Sequence, residues 1–244
     1  MKYDKKLALI ILSIVLFFYF ILPPYNKIAQ IGYCINNIGL LFSVVATPSQ
    51  DEKYVFHRNN AIYLARMHNE KTALKEINKA IHLYPSNAPE YKLQRLYRDK
   101  AEINLFLQNY REALNDFLRL ESHNIVDKLK IAMLLKKLGK PAKAVSFCND
   151  ILEVDLKAYA GYACLADIYA SVGKYEASVA IFDLLIDRAP KQKYYGDRAY
   201  YKKMTGDIDG ANEDIQSAGI NEVKKPTYPQ SVIESKTLRL SIFD

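Results

Sequence analysis

Between Asn60 and Val223 the chain repeats one arrangement of small and apolar positions, with polar residues filling the remainder. A small residue is followed twelve positions later by a second. Apolar residues stand four and then three positions further on, and a proline or apolar residue closes the unit after five more. The clearest copy is Ala166, Ser178, Phe182, Leu185 and Pro190. The same offsets recover Ala61, Ala73, Ile77, Ala80 and Pro85, then Ala101, Ala113, Phe117, Leu120 and Ile125. They continue through Ala132, Ala144, Cys148, Ile151 and Leu156, and end in a thinner set, Ala199, Ala211, Ile215, Ala218 and Val223. The second small residues stand 40, 31, 34 and 33 residues apart. Separations of three and four put side chains on one helix face, so the pattern predicts five helical hairpins stacked in one register.

The spacing has a mechanical reading. Two antiparallel helices approach closely only where small side chains meet, and Ala166 with Ser178 is the expected pair. Gly173 is expected to end the first helix in a left-handed conformation, Tyr175 to open the second, and Pro190 to mark its end. Pro141, in the position of Tyr175, suits a first helical turn. In the longer spacing before the second unit, Asn87 is a candidate cap and Pro89 a candidate first helical residue. One hairpin leaves its apolar stripe bare, so the next covers it.

The residues Tyr162, Leu165, Ala166 and Tyr169, followed by Ser178, Phe182 and Pro190, resemble the tetratricopeptide repeat. The resemblance extends over about residues 54–223. It implies an all-α solenoid of about five hairpins, a concave groove that binds peptides or partner helices, and no catalysis. Some members of that family clamp a partner's terminal carboxylates with a Lys–Asn set. Here Arg58 is followed four later by Ile62, and Asp99 and Val126 occupy other clamp positions, which argues against binding of cytosolic chaperone tails.

An uncharged apolar run, Leu7 to Leu22, precedes the repeats and ends at Pro23-Pro24. As a helix it would span about 24 Å, a little short of a hydrocarbon core of about 30 Å. No small-x-small cleavage site follows closely, so 7–24 reads as an uncleaved transmembrane signal-anchor. Lysines at 2, 5 and 6 place residues 1–6 in the cytoplasm and the repeats on the far side. In 28–46, Ile28, Ile31, Ile35, Ile38, Phe42 and Val45 form a stripe at helical spacing, while Asn36 and Asn37 make a second span costly. This segment reads as an amphipathic linker helix; a second span, with cytoplasmic repeats, is the alternative. The tail 224–244, with Leu238, Leu240 and Ile242 alternating, could cap the last repeat or dock as a strand.

Composition changes the picture little. The net charge of +7 is dispersed, with no compact basic run, and does not argue for nucleic acid. The four histidines show no metal-ligand spacing, and no nucleophile elbow or phosphate loop is present. We therefore assign no catalytic residue, metal or cofactor. Asp207, Asp209, Glu213 and Asp214 read as a turn and the acidic first turn of a helix. Three cysteines make no disulfide framework; Cys148 and Cys164 are either buried thiols or, in an oxidising compartment, a bridge.

The expected groove wall is the exposed face of each first helix. On it we place Arg58, Ile62 and Arg66, then Arg95, Arg98, Glu102 and Phe106, then Leu129, Met133 and Lys136, and finally Asp167, Tyr200 and Lys203. Its first half reads as basic with apolar patches, suited to an extended or helical protein segment of acidic character. The expected function is a membrane-anchored scaffold or adaptor. A periplasmic assembly factor for an envelope complex is the alternative, and an RNA-binding helical repeat a more distant one.

Overall fold

The computed structural model describes residues 50–229 and Ile233. The anchor at 7–24, the amphipathic stripe at 28–46 and most of the tail lie outside the described residues. Among the described residues there are ten α-helices and no strands. They are α1 Gln50–Arg66, α2 Glu70–His82, α3 Glu90–Phe106, α4 Tyr110–Leu118, α5 Ile125–Lys137, α6 Pro141–Val154, α7 Tyr159–Ser171, α8 Tyr175–Arg188, α9 Gln192–Thr205 and α10 Ile208–Ala218. Each packs on its neighbours in sequence, giving five hairpins in a row. Among the described residues, no helix is long and apolar enough to cross a membrane.

The register of small residues is what closes each hairpin. Ala61, Ala101, Ala132, Ala166 and Ala199 of the first helices are fully buried, as are Ala73, Ala113, Ala144, Ser178 and Ala211 of the second. In the fourth hairpin the Ser178 hydroxyl donates to the Ala166 carbonyl at 2.8 Å, so the expected pair is in contact. Ile77, Phe117, Cys148 and Phe182, four positions on, are also fully buried. In the last hairpin the equivalents Ile215 and Ala218 are only half-buried. No described helix stacks beyond α10, and this is the reason its outer face keeps exposure.

The connections follow from backbone chemistry. Gly139, Gly173 and Gly206 turn the third, fourth and fifth hairpins at positive φ. In the first two, His68 and Gln108 take that conformation at φ 56 and 59, a modest strain for residues with a Cβ. Pro141 is the first residue of α6, where its missing N–H costs no bond. One cap differs from expectation: α3 opens at Glu90 with Pro89 at its N-cap, and Asn87 does not cap it. The Tyr84 hydroxyl donates to the Pro89 carbonyl and ties this linker. Asp207 does cap α10, accepting from the Gly210 amide at 3.0 Å.

Two cross-links reinforce the joints. Cys148 of α6 and Cys164 of α7 form a disulfide with Cα atoms 5.7 Å apart, so the bridge reading holds and the free-thiol reading does not. In the first hairpin Glu76 of α2 meets His57 and Asn60 of α1 and its own neighbour Lys79. Burial opposes ionisation of Glu76, but those hydrogen bonds outweigh it and hold the carboxyl down to about 2.

Candidate partner-binding groove

The repeat spacing puts Arg58, Arg98, Leu129, Ala163 and Gly196 on one line across the first helices. Ile62, Glu102, Met133, Asp167 and Tyr200 form the next line. Along these lines each of the first three first helices is tied to the one after it by charge. Arg58 Nε of α1 donates to Asp99 of α3 at 2.6 Å. Arg98 of α3 grips both carboxylate oxygens of Asp127 on α5, at 3.2 and 2.9 Å. Glu102 of α3 accepts from Lys130 of α5, and Lys136 of α5 donates to Asp167 of α7. Between α7 and α9 the link is neutral-to-charged: the Tyr159 hydroxyl donates to Asp197 at 2.7 Å. Burial and the neighbouring Asp197 carboxylate push the Tyr159 phenol up, so it stays a donor.

This ladder changes the chemistry expected of the groove. Arg58 is buried and Arg98 about one-third exposed, and each has its charge met by an aspartate of the next helix. The reading of a basic first half rested on Arg58, Arg66, Arg95 and Arg98, and the pairing of Arg58 and Arg98 weakens it. Glu102 and Lys136 are likewise engaged and mostly covered. Ile62, Leu129 and Met133 are buried as core. Arg95, Phe106 and Tyr200 are half-buried and Lys203 is exposed. Of the predicted wall, these four keep surface open to solvent.

The middle of the groove is filled. Seven consecutive residues of α5, Leu129 to Leu135, are all buried, although stacked hairpins would leave one side of a first helix open. Tyr228 and Ile233 pack with the same central cluster as Leu129, Met133, Leu165 and Ile168. Ile233 does not belong to the cluster of the last repeat. Tyr228 also reaches the Tyr159 ring at 5.4 Å, and Tyr159 stacks on Tyr194 at 5.2 Å with the Lys193 ammonium 3.7 Å above its centroid.

Sequence reasoning missed Asp127, Lys130, Tyr159, Asp197, Tyr228 and Ile233. A signal for the first two existed: opposite charges fall 28 to 31 residues from Arg98, Glu102 and Lys136, about one repeat on. No periodicity marked the tail residues. At the far end Arg198 of α9 binds Asp214 of α10 with two nitrogens and Asp183 of α8 with a third contact, a structural clamp facing away from the groove lines.

Comparisons with known proteins agree with the fold. The tetratricopeptide-repeat family model matches residues 160–192. No curated protein matches the sequence. Among solved structures, a tetratricopeptide repeat protein from Parabacteroides merdae is 21% identical with a TM-score of 0.60, covering 86% of this chain and 84% of its own. MamA from Desulfovibrio magneticus RS-1 is 16% identical with a TM-score of 0.56, covering 70% of this chain and 96% of its own. YrrB, described as a TPR protein with an unusual peptide-binding site, is 18% identical with a TM-score of 0.51, covering 68% of this chain and 85% of its own. Residues 160–192 are thus a tetratricopeptide repeat, and the chain has the fold of a tetratricopeptide-repeat protein.

Proposed function

We propose that the chain is a membrane-anchored protein–protein interaction scaffold, in which the first-helix face of five stacked hairpins captures an extended or helical segment of a partner protein. The observation that carries this reading is the row of first helices locked to one another by Arg58–Asp99, Arg98–Asp127, Glu102–Lys130 and Lys136–Asp167. A face fixed in this way binds without a further ordering cost, which favours affinity. The peptide-binding description of YrrB agrees with such a role. Phe106 and Tyr200 offer aromatic contact, and acidic residues of a partner would meet Arg95 and Lys203. The acidic character of the partner is therefore a narrower proposal than the sequence alone suggested.

The anchor is the apolar run Leu7 to Leu22, and it would raise the local concentration of the groove near membrane partners. The Cys148–Cys164 disulfide favours placing the repeats outside the cytoplasm, because such bonds persist in oxidising compartments. The second reading is a periplasmic assembly factor, favoured by the same bridge. It shares the compartment and differs in the lifetime of its complex.

Alkaline phosphatase fused after Asp244 in a bacterial host is expected to be active, with a cytoplasm-dependent fluorescent protein dark at the same position. Fluorescence with no phosphatase activity would contradict the extracytoplasmic placement and reopen RNA and cytosolic proteins as partners.

A further inference from the structure

We infer that the C-terminal segment carrying Tyr228, Pro229 and Ile233 is the groove's resident ligand, and that a partner gains the groove by displacing it. The inference rests on the reading of the first-helix face as the binding face. It goes further by naming what occupies that face and the chemistry that competes for it.

The burial pattern is the first reason. In a stack of hairpins, a first helix is covered by its own second helix and by its neighbours on two sides, and the groove side stays open. In α5 that side is closed, with Leu129 and Met133 almost wholly removed from solvent. The described residues from beyond the hairpins that reach this cluster are Tyr228 and Ile233, and Pro229 between them is buried.

The second reason is the seat of the Tyr228 ring. Tyr159 stands at the start of α7, on the first-helix side, and is held by the Asp197 hydrogen bond, the Tyr194 stack and the Lys193 ammonium. Tyr228 lies against this fixed ring at 5.4 Å, tilted by 30°. Burial pushes the Tyr228 phenol up, which agrees with a ring taken out of water. Tyr228 and Pro229 form a turn, and Tyr228 touches both the Tyr159 ring and the central cluster that holds Leu129 and Met133.

Reach and composition fit a displaceable ligand. α10 ends at Ala218, and a short connection lacking regular structure leads to Tyr228. The described contact is one aromatic ring, one proline and one aliphatic side chain, with no ion pair among them. A partner segment presenting an aromatic residue and, five positions later, an aliphatic one would satisfy the same two seats. Residues beside them could add contacts to Phe106 and Arg95 that the tail's described residues do not make. The competitor is therefore a protein segment that presents this aromatic–aliphatic pair.

The test uses the full chain and a fluorescein-labelled peptide of residues 224–244 as probe. Tethering gives the tail an effective concentration of the order of 1 mM, so a peptide with an intrinsic Kd of about 10 μM should bind the wild type roughly 100-fold more weakly than a chain whose tail is disabled. We expect saturable binding to the full-length Tyr228→Ala plus Ile233→Asp chain, and little to the wild type. A probe peptide with the same two substitutions should not bind either chain. Equal affinity of the probe for wild type and variant would overturn the proposal. So would absence of binding to a variant whose circular dichroism matches the wild type. The milder Tyr228→Ala plus Ile233→Ala chain carries the same comparison if the first variant loses helix content. The probe is the chain's own segment, so the assay is independent of the partner. Probe exchange without any partner captured in cells would remove the scaffold reading and leave the tail assignment standing.

Discussion

Asp127→Ala is expected to destabilise the protein by about 3 kcal/mol and to split its unfolding into two transitions. Asp127 serves two structures at once. As the third residue of α5 it completes a capping box with Asn124, accepting from the Asn124 amide while its own amide donates to the Asn124 side chain at 2.8 Å. Loss of a cap costs about 1 kcal/mol. Its carboxylate is also nearly fully buried against the fork of Arg98 on α3. Removing one partner of a covered ion pair commonly costs about 3 kcal/mol or more, and the partial exposure of Arg98 lowers that figure.

The second consequence follows from the one-dimensional architecture. A solenoid unfolds as a unit only while nearest-neighbour interfaces outweigh the differences between its repeats. The α3–α5 joint is held by Arg98–Asp127 and Glu102–Lys130; with one of them gone, hairpins one and two should melt apart from three to five. Urea unfolding followed by circular dichroism, with hydrogen exchange on each half, checks this. One cooperative transition at an unchanged midpoint would show that Asp127 is not a coupling residue. Asp127→Asn is expected to recover most of the cap and little of the Arg98 pairing, so it should fall between the two.

Reduction of Cys148–Cys164, or Cys148→Ala with Cys164→Ala, is expected to cost about 3 kcal/mol, on the order of 10 °C in Tm. The bond closes a loop of sequence separation 16, and a cross-link of that size removes about this much free energy from the unfolded chain. Both cysteines are fully buried between α6 and α7, so the folded structure changes little and the effect falls on the unfolded state. Thermal melts with and without reductant check the size. The alanine variant separates the cross-link from its sulfur packing, because reductant should leave its Tm unmoved. A wild-type melt insensitive to reductant at full thiol exposure would contradict the prediction.

The hairpins were legible from sequence because their constraint acts on single positions. Where two helix backbones meet, nothing larger than Ala or Ser fits, and the ten positions from Ala61 to Ala211 display that limit directly. The groove wall was less legible, because its chemistry depends on pairs. Arg58 and Arg98 carry the same charge in a sequence whether free or paired. What decides is that Asp99 and Asp127 stand on the adjoining first helix within reach. The cap of α3 was missed by local reasoning because Tyr84 fixes the linker through the Pro89 carbonyl. The seats of Tyr228 and Ile233 left no trace, since two side chains that dock singly into a groove follow no repeat period.

The measurement that tests the scaffold reading most directly is site-specific photo-cross-linking in living cells. A benzophenone side chain is placed at Phe106 or Tyr200 on the proposed groove wall, and at Val154 or Leu184, which are exposed on second helices. Groove capture predicts a discrete protein adduct from Phe106 and Tyr200 that is absent from Val154 and Leu184. Adducts confined to the second-helix positions, or the same bands from all four, would contradict it.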